Sequence, residues 1–142
     1  MKRNLLLVIV IIALVLVIVF VSNSRSYYSE VGSNPILQRI HQDFIKLNPE
    51  YAKIPLRSGD SAFTENKSMI TICLQDPKTK ERYPYCVLLY VALHELSHMV
   101  SKDYGHGKEF QSNFGVILRK AVELGMYDPN CQIPSTYCGI DH

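Results

Sequence analysis

The sequence lacks a surplus of either charge. It carries 15 Lys and Arg against 13 Asp and Glu, and with Lys2 and Arg3 set aside at the N-terminus, residues 25–142 are balanced. That balance excludes a polybasic surface and makes nucleic acid an unexpected partner, because non-specific binding depends on neutralising many phosphates. Internal repeats and low-complexity tracts are also missing, which excludes a solenoid, a collagen-like chain and a disordered tail. Cysteines are few, and Cys73, Cys86, Cys131 and Cys138 show no C-x₂₋₄-C spacing, which speaks against a cysteine zinc site. An even count fits two disulfides in an oxidising space, with three connectivities open; free thiols are the alternative if the domain faces the cytosol. At 142 residues the chain has room for one domain.

What is present begins with an unbroken apolar run, Leu5 to Val21. As a helix it rises roughly 25 Å, near the lower limit for a hydrocarbon core of about 30 Å. The expectation is a transmembrane signal-anchor over residues 1–24, a Ser-rich tether over 25–33 and a folded domain over 34–142. Membrane contact would run through residues 5–21. Lys2 and Arg3 outweigh Arg25, so the positive-inside rule favours a single-pass protein with its N-terminus cytosolic and its domain extracytosolic. A secretory signal cleaved near Ser22-Asn23-Ser24 is the alternative.

The domain reads as α+β. Asn34-Pro35 looks like an N-cap with Pro at the first helical position, and Ile36, Leu37, Ile40, Phe44 and Leu47 recur at helical spacing up to Asn48-Pro49. Residues 51–57 are short and Pro-interrupted, and Ser58-Gly59-Asp60-Ser61 marks a turn. Ser68 to Leu74 reads as a strand. A helix of about four turns follows Tyr83-Pro84, and another runs from about Lys108 to Leu124 with Gly125 as its stop. Residues 126–142 read as an irregular tail rich in Pro, Tyr and Cys.

The helix after Tyr83-Pro84 carries the chemistry. His94-Glu95-Leu96-Ser97-His98 is H-E-x-x-H, which stacks two imidazoles at i and i+4 on one helical face, where both reach a single cation. Glu95 projects beside that cation, placed to take a proton from a metal-activated water. Chance alone would produce about 0.01 such motifs in a chain of this composition. The bland reading is two surface histidines and a glutamate on an amphipathic helix. A catalytic zinc needs a third protein ligand and an open position. His106 is the first choice, since Gly105 and Gly107 let the chain turn back beneath the helix. Glu123 and Asp103 are the alternatives.

His94-Glu-Leu-Ser-His98 followed by His106-Gly107-Lys108-Glu109-Phe110 resembles the signature of the WLM and SprT-like zinc metallopeptidases, across roughly residues 69–127. The resemblance implies a minimal zincin-like fold with an active-site helix, a small sheet and about three helices. It implies one Zn²⁺ on His94, His98 and His106, with Glu95 as general base and the preceding strand lining the substrate cleft. The spacing departs from the metzincin pattern, since His106 comes two residues later and position 101 is Ser. Better-known members carry segments for DNA or partner binding, and no such segment is expected from these residues. More loosely, the layout is similar to small uncharacterised proteins of large DNA viruses.

The expected function is zinc-dependent hydrolysis of a protein or peptide substrate by an endopeptidase. Strand residues Met69, Ile70, Thr71 and Ile72 would pair with an extended substrate if they lay at a sheet edge. Tyr104, Tyr127, Tyr137 and His142 are candidates for stabilising the oxyanion. The alternative is a catalytically inactive protein, such as a virion component, in which zinc only holds a binding or structural module together.

Overall fold

The computed structural model describes residues 2–25 and 29–141. Among them are four α-helices, α1 (Lys2–Arg25), α2 (Pro35–Leu47), α3 (Tyr85–Val100) and α4 (Lys108–Glu123), and five short strands, β1 (Leu56–Ser58), β2 (Phe63–Glu65), β3 (Met69–Ile72), β4 (Thr136–Tyr137) and β5 (Ile140–Asp141). The α+β expectation holds.

The transmembrane assignment of residues 1–24 does not. No helix among the described residues is long and apolar enough to cross a membrane. The described apolar side chains of α1 are exposed from Leu6 to Val21, about 24 Å of helix against a hydrocarbon core of about 30 Å. The single-pass topology, and the cytosolic and extracytosolic sides assigned from it, fall with the span. Part of the expected tether is also folded. The Glu30 N–H donates to the Leu56 carbonyl at 2.7 Å, and the Glu30 carboxylate accepts from the Ser58 N–H and hydroxyl at 3.1 and 2.6 Å, which pins Ser29–Ser33 against β1.

Local chemistry sets the helix boundaries. The Asn34 side chain accepts from the Ile36 and Leu37 N–H groups at 3.0 and 3.3 Å, and Pro35 opens α2. Leu37, Ile40, Phe44 and Leu47 then fall on one buried stripe. Phe44 is fully buried, and truncating such a side chain to Ala typically costs about 3–5 kcal/mol. Beyond α2, Asn48 caps a 3₁₀ turn over Pro49–Lys53. At the other side, the Lys120 ammonium of α4 donates to the Leu47 carbonyl at 2.6 Å, a cation satisfying the end of α2.

The three-stranded sheet has the order β1-β3-β2. β3 runs parallel to β1 (Leu56 beside Ile70) and antiparallel to β2 (Thr64 beside Ile70). All four β3 residues are buried. The strand expected at an edge is therefore the middle one, with both sides already paired, and Met69, Ile70, Thr71 and Ile72 have no free edge to offer a substrate. The β2–β3 turn puts Asn66 and Lys67 at φ of +45° and +53° and closes with the Ser68 N–H on the Glu65 carbonyl at 2.8 Å.

α3 is the central helix. Val87, Leu88, Leu89, Val91, Ala92, Leu93, Leu96 and Ser97 are buried around most of its circumference, and it packs against β2, β3 and α4. Its open stripe follows the i, i+4 spacing of Tyr90, His94 and His98, all half-buried. The C-terminal tail is more regular than expected. β4 and β5 form a hairpin whose two turn residues, Cys138 and Gly139, both have positive φ (+51° and +78°). Two disulfides, Cys73–Cys138 and Cys86–Cys131, tie the tail to the end of β3 and the first turn of α3, and no cysteine is left free. They fit an oxidising environment of the extracellular or virion type.

Candidate metal centre

Two elements and one loop bring three imidazoles together. His94 and His98 project from consecutive turns of α3. The chain then leaves the helix at Ser101, reverses through Gly105 at φ +89°, and presents His106 just before Gly107 opens α4. The Nε2 atoms form a triangle with sides of 3.0 Å (His94 to His106), 3.1 Å (His98 to His106) and 3.2 Å (His94 to His98).

An imidazole Nε2 either donates or accepts, so a triangle of three must join at least one pair of like atoms. Three lone pairs turned toward one cation remove that conflict. Nitrogens bound tetrahedrally to zinc at 2.0–2.1 Å stand about 3.3–3.4 Å apart, close to the observed sides. Three imidazoles would leave one position of a four-coordinate ion open, the pattern of catalytic rather than closed structural zinc sites. The residues present therefore fit zinc. These histidines are the one set of three or more converging His, Cys, Asp or Glu side chains among the described residues. Glu123 is exposed at the end of α4 and Asp103 lines the cleft, but neither joins the set.

Phe110 is the shared support for the triangle. Its buried ring stacks on His98 (centroids 4.3 Å) and meets His94 and His106 at 4.9 and 4.8 Å. A rigid apolar base fixes ring orientation without competing for the lone pairs. The loop bearing His106 is held from two sides. The Glu109 carboxylate accepts from the Lys102 and Asp103 N–H groups at 3.2 and 3.4 Å. The Lys67 ammonium donates to the carbonyls of Ser101, Lys102 and Asp103 at the end of α3 and lies 4.8 Å from the centre of the Tyr104 ring.

Glu95 turns from the same stretch of α3 and is only 7% exposed. The Thr64 hydroxyl of β2 lies 2.8 Å from its carboxylate. Burial raises the pKa of Glu95, and the Thr64 hydrogen bond opposes that rise. Burial first, then the charges of His106 and Lys67, lowers the pKa of His98 and favours the neutral ring that can ligate. Thr64, Lys67, Glu95 and the three histidines line one cleft of about 380 Å³.

The oxyanion candidates separate. Tyr104 is 81% exposed and lines the cleft. Tyr127 is buried against Tyr90, and Tyr137 is buried with its hydroxyl donating to the Cys73 carbonyl. His142 lies outside the described residues. Sequence reasoning missed Thr64 and Lys67, which sit in a three-residue strand and a turn without a motif. Phe110 stood in His-Gly-x-x-Phe, but nothing in the motif marked its ring as the support of the imidazoles.

Comparison with known proteins finds viral relatives. The chain is 37% identical over 89 residues to uncharacterized protein 136R of Invertebrate iridescent virus 6, covering 61% of this chain and 50% of that protein. It is 34% identical over 90 residues to uncharacterized protein 042R of Invertebrate iridescent virus 3, covering 63% and 57%. An uncharacterized protein of Acanthamoeba polyphaga mimivirus is 30% identical over 84 residues, covering 56% and 42%. The chain thus spans about half the length of the relatives it matches, and their viral origin agrees loosely with the expected likeness to proteins of large DNA viruses. No family model and no solved structure matches it, so the WLM and SprT-like resemblance rests on the motif residues alone.

Proposed function

We propose that the protein is a zinc-dependent peptidase whose signature places it near the WLM and SprT-like metallopeptidases. The observation that carries this reading is the triangle of Nε2 atoms, 3.0–3.2 Å on a side, with the buried Glu95 carboxylate in the same cleft. His94, His98 and His106 would hold the ion. Zinc bound there would supply Lewis-acid chemistry, polarising the scissile carbonyl and acidifying a water.

The remaining work falls to the chain itself. Glu95 takes the proton of the attacking water and passes it to the departing amine, and its burial, which raises its pKa, eases the protonation that this relay needs. Thr64 holds the carboxylate in place. β2 is an outer strand of the sheet, paired on one side with β3, and Phe63 and Thr64 line the cleft. Among the described residues no strand pairs with its other side, which offers main-chain groups to an extended peptide, the role first expected of β3. Tyr104 is the tyrosine in the cleft available to a developing oxyanion.

Zinc content and peptide hydrolysis, measured together on the full chain, test the reading. His94→Ala, His98→Ala and His106→Ala each remove a ligand and should lower both. Glu95→Gln keeps shape and ligands, so it should retain about one equivalent of zinc and lose about 10²- to 10⁴-fold in rate. A Glu95→Gln protein that loses its zinc, or a His106→Ala protein that keeps full zinc and activity, overturns the assignment. Zinc binding without any hydrolysis favours the alternative of a zinc-stabilised structural protein.

A further inference from the structure

A second cavity, of about 220 Å³, adjoins the metal cleft and shares Ala62, His94 and Glu95 with it. The rest of its wall is apolar in character. Tyr90 and Val91 come from α3, one turn ahead of the first histidine, and Ile133, Tyr137 and Ile140 come from the C-terminal tail. No Lys or Arg lines it. We propose that this cavity receives an apolar side chain of the substrate beside the scissile bond, and that the disulfide-pinned tail supplies the wall that selects it. The proposal rests on the peptidase reading and adds the substrate class, a peptide with an aliphatic or aromatic residue next to the cleaved bond.

Three observations carry it. The first is continuity, since Ala62, His94 and Glu95 belong to the walls of both cavities. The second is chemistry. The one carboxylate in the wall is Glu95, so an acidic side chain entering there would meet like charge and lose its water, whereas an apolar one loses nothing polar.

The third is construction. Cys131 is bonded to Cys86 two residues before Ile133, and Cys138 is bonded to Cys73 between Tyr137 and Ile140. Tyr137 is further fixed by its hydroxyl on the Cys73 carbonyl and by Tyr83, whose ring centroid is 4.7 Å away. Both covalent anchors of the tail thus flank the residues that face the cavity. Ile140 is still 52% exposed despite that anchoring, an aliphatic surface at the rim that an incoming side chain would cover.

The test uses zinc-loaded full-length protein and hydroxamates as metal-directed probes. Acetohydroxamate reports on the metal centre alone. 4-Methylpentanohydroxamate and 3-phenylpropanohydroxamate add an apolar arm. Calorimetry should show the armed probes binding about tenfold to a hundredfold more tightly than acetohydroxamate, the range expected for burying one such side chain. Ile133→Asp and Ile140→Asp should abolish that increment while zinc stoichiometry and acetohydroxamate affinity stay unchanged. Ile140, half exposed, gives the variant with little risk to folding. Equal binding of all three probes, or an increment that survives both substitutions, overturns the pocket assignment alone. Failure to bind zinc and acetohydroxamate overturns the peptidase reading and the pocket role with it.

Discussion

The Thr64 hydroxyl lies 2.8 Å from the Glu95 carboxylate and 2.9 Å from the Glu95 carbonyl oxygen. It has one proton to give, so it serves one acceptor at a time. With Glu95 ionised, the proton belongs on the carboxylate. With Glu95 protonated, the acid can donate to the threonine oxygen while threonine turns to the carbonyl. One hydroxyl from β2 therefore accommodates both states that a proton carrier must visit. Thr64→Val keeps the shape and removes the donor. Hydrogen bonds to charged groups are worth about 1.5–3 kcal/mol, so kcat/KM for a peptide should fall roughly tenfold or more, with zinc content unchanged and Thr64→Ser near wild type. Unchanged hydrolysis in Thr64→Val would show that the contact does not position the base.

How much of this was readable depends on how local each signal is. Asn34, Pro35 and Gly125 act within a turn of where they stand, and α2, α3 and α4 begin and end within a residue or two of the positions expected. The histidine set was legible for the same reason, since i, i+4 geometry and a glycine-flanked return require little tertiary information. β1 and β2 have three residues each, too few to show a period, so the sheet order and the central place of β3 were hidden. Pairing Cys73 with Cys138 and Cys86 with Cys131 needs a fold, because spacing alone leaves three connectivities open. The run from Leu5 to Val21 misled because a length near the lower limit for a span was read as sufficient.

Lys67 offers a test of how the third imidazole is held. Its backbone sits in the left-handed region of the β2–β3 turn, and its ammonium gathers three carbonyls of the segment leading to His106. Those carbonyls include the negative end of α3, where a cation is favoured. Lys67→Met should free the segment and weaken zinc by about 10- to 100-fold, the scale typical of groups that orient metal ligands. Competition against a chelator measures this directly. Lys67→Arg should recover part of the affinity, and equal zinc affinity in Lys67→Met and wild type would remove the lysine from any positioning role.

The disulfides should matter more to the tail than to the metal centre. Cys73–Cys138 closes a 65-residue separation and Cys86–Cys131 one of 45, and each typically contributes about 2–4 kcal/mol. Reduction should therefore lower the melting temperature by several degrees at least. The Cys86→Ser, Cys131→Ser double variant, which leaves no odd thiol, should show a smaller decrease than full reduction. Non-reducing peptide mapping should recover the Cys73–Cys138 and Cys86–Cys131 pairs; a different pairing would contradict the path of the tail described above.

Tyr85 and Asp43 give the fold an alkaline limit. The Tyr85 hydroxyl donates to the Asp43 carboxylate at 2.7 Å, Asp43 is 5% exposed, and Lys46 meets the same carboxylate from the other side at 2.8 Å. Burial, then the hydrogen bond and charge of Asp43, pushes the Tyr85 pKa well above its ordinary value, while Arg39, whose guanidinium lies 3.6 Å from the ring centre, pulls the other way. The sign follows from proton counting. Below about pH 10 the tyrosine is protonated folded and unfolded, and its contribution is present in full. Above that, the unfolded chain releases the proton and the folded one keeps it, so stability falls as pH rises toward the folded pKa. Tyr85→Phe should cost about 1–3 kcal/mol at neutral pH by leaving a buried acceptor short of a donor, and should flatten the decline above pH 10. Tyr137 is raised in the same direction by burial, so part of the slope survives. Urea unfolding of both proteins between pH 7 and 11 reads both effects, and parallel declines would mean that Tyr85 is not a group that sets the limit.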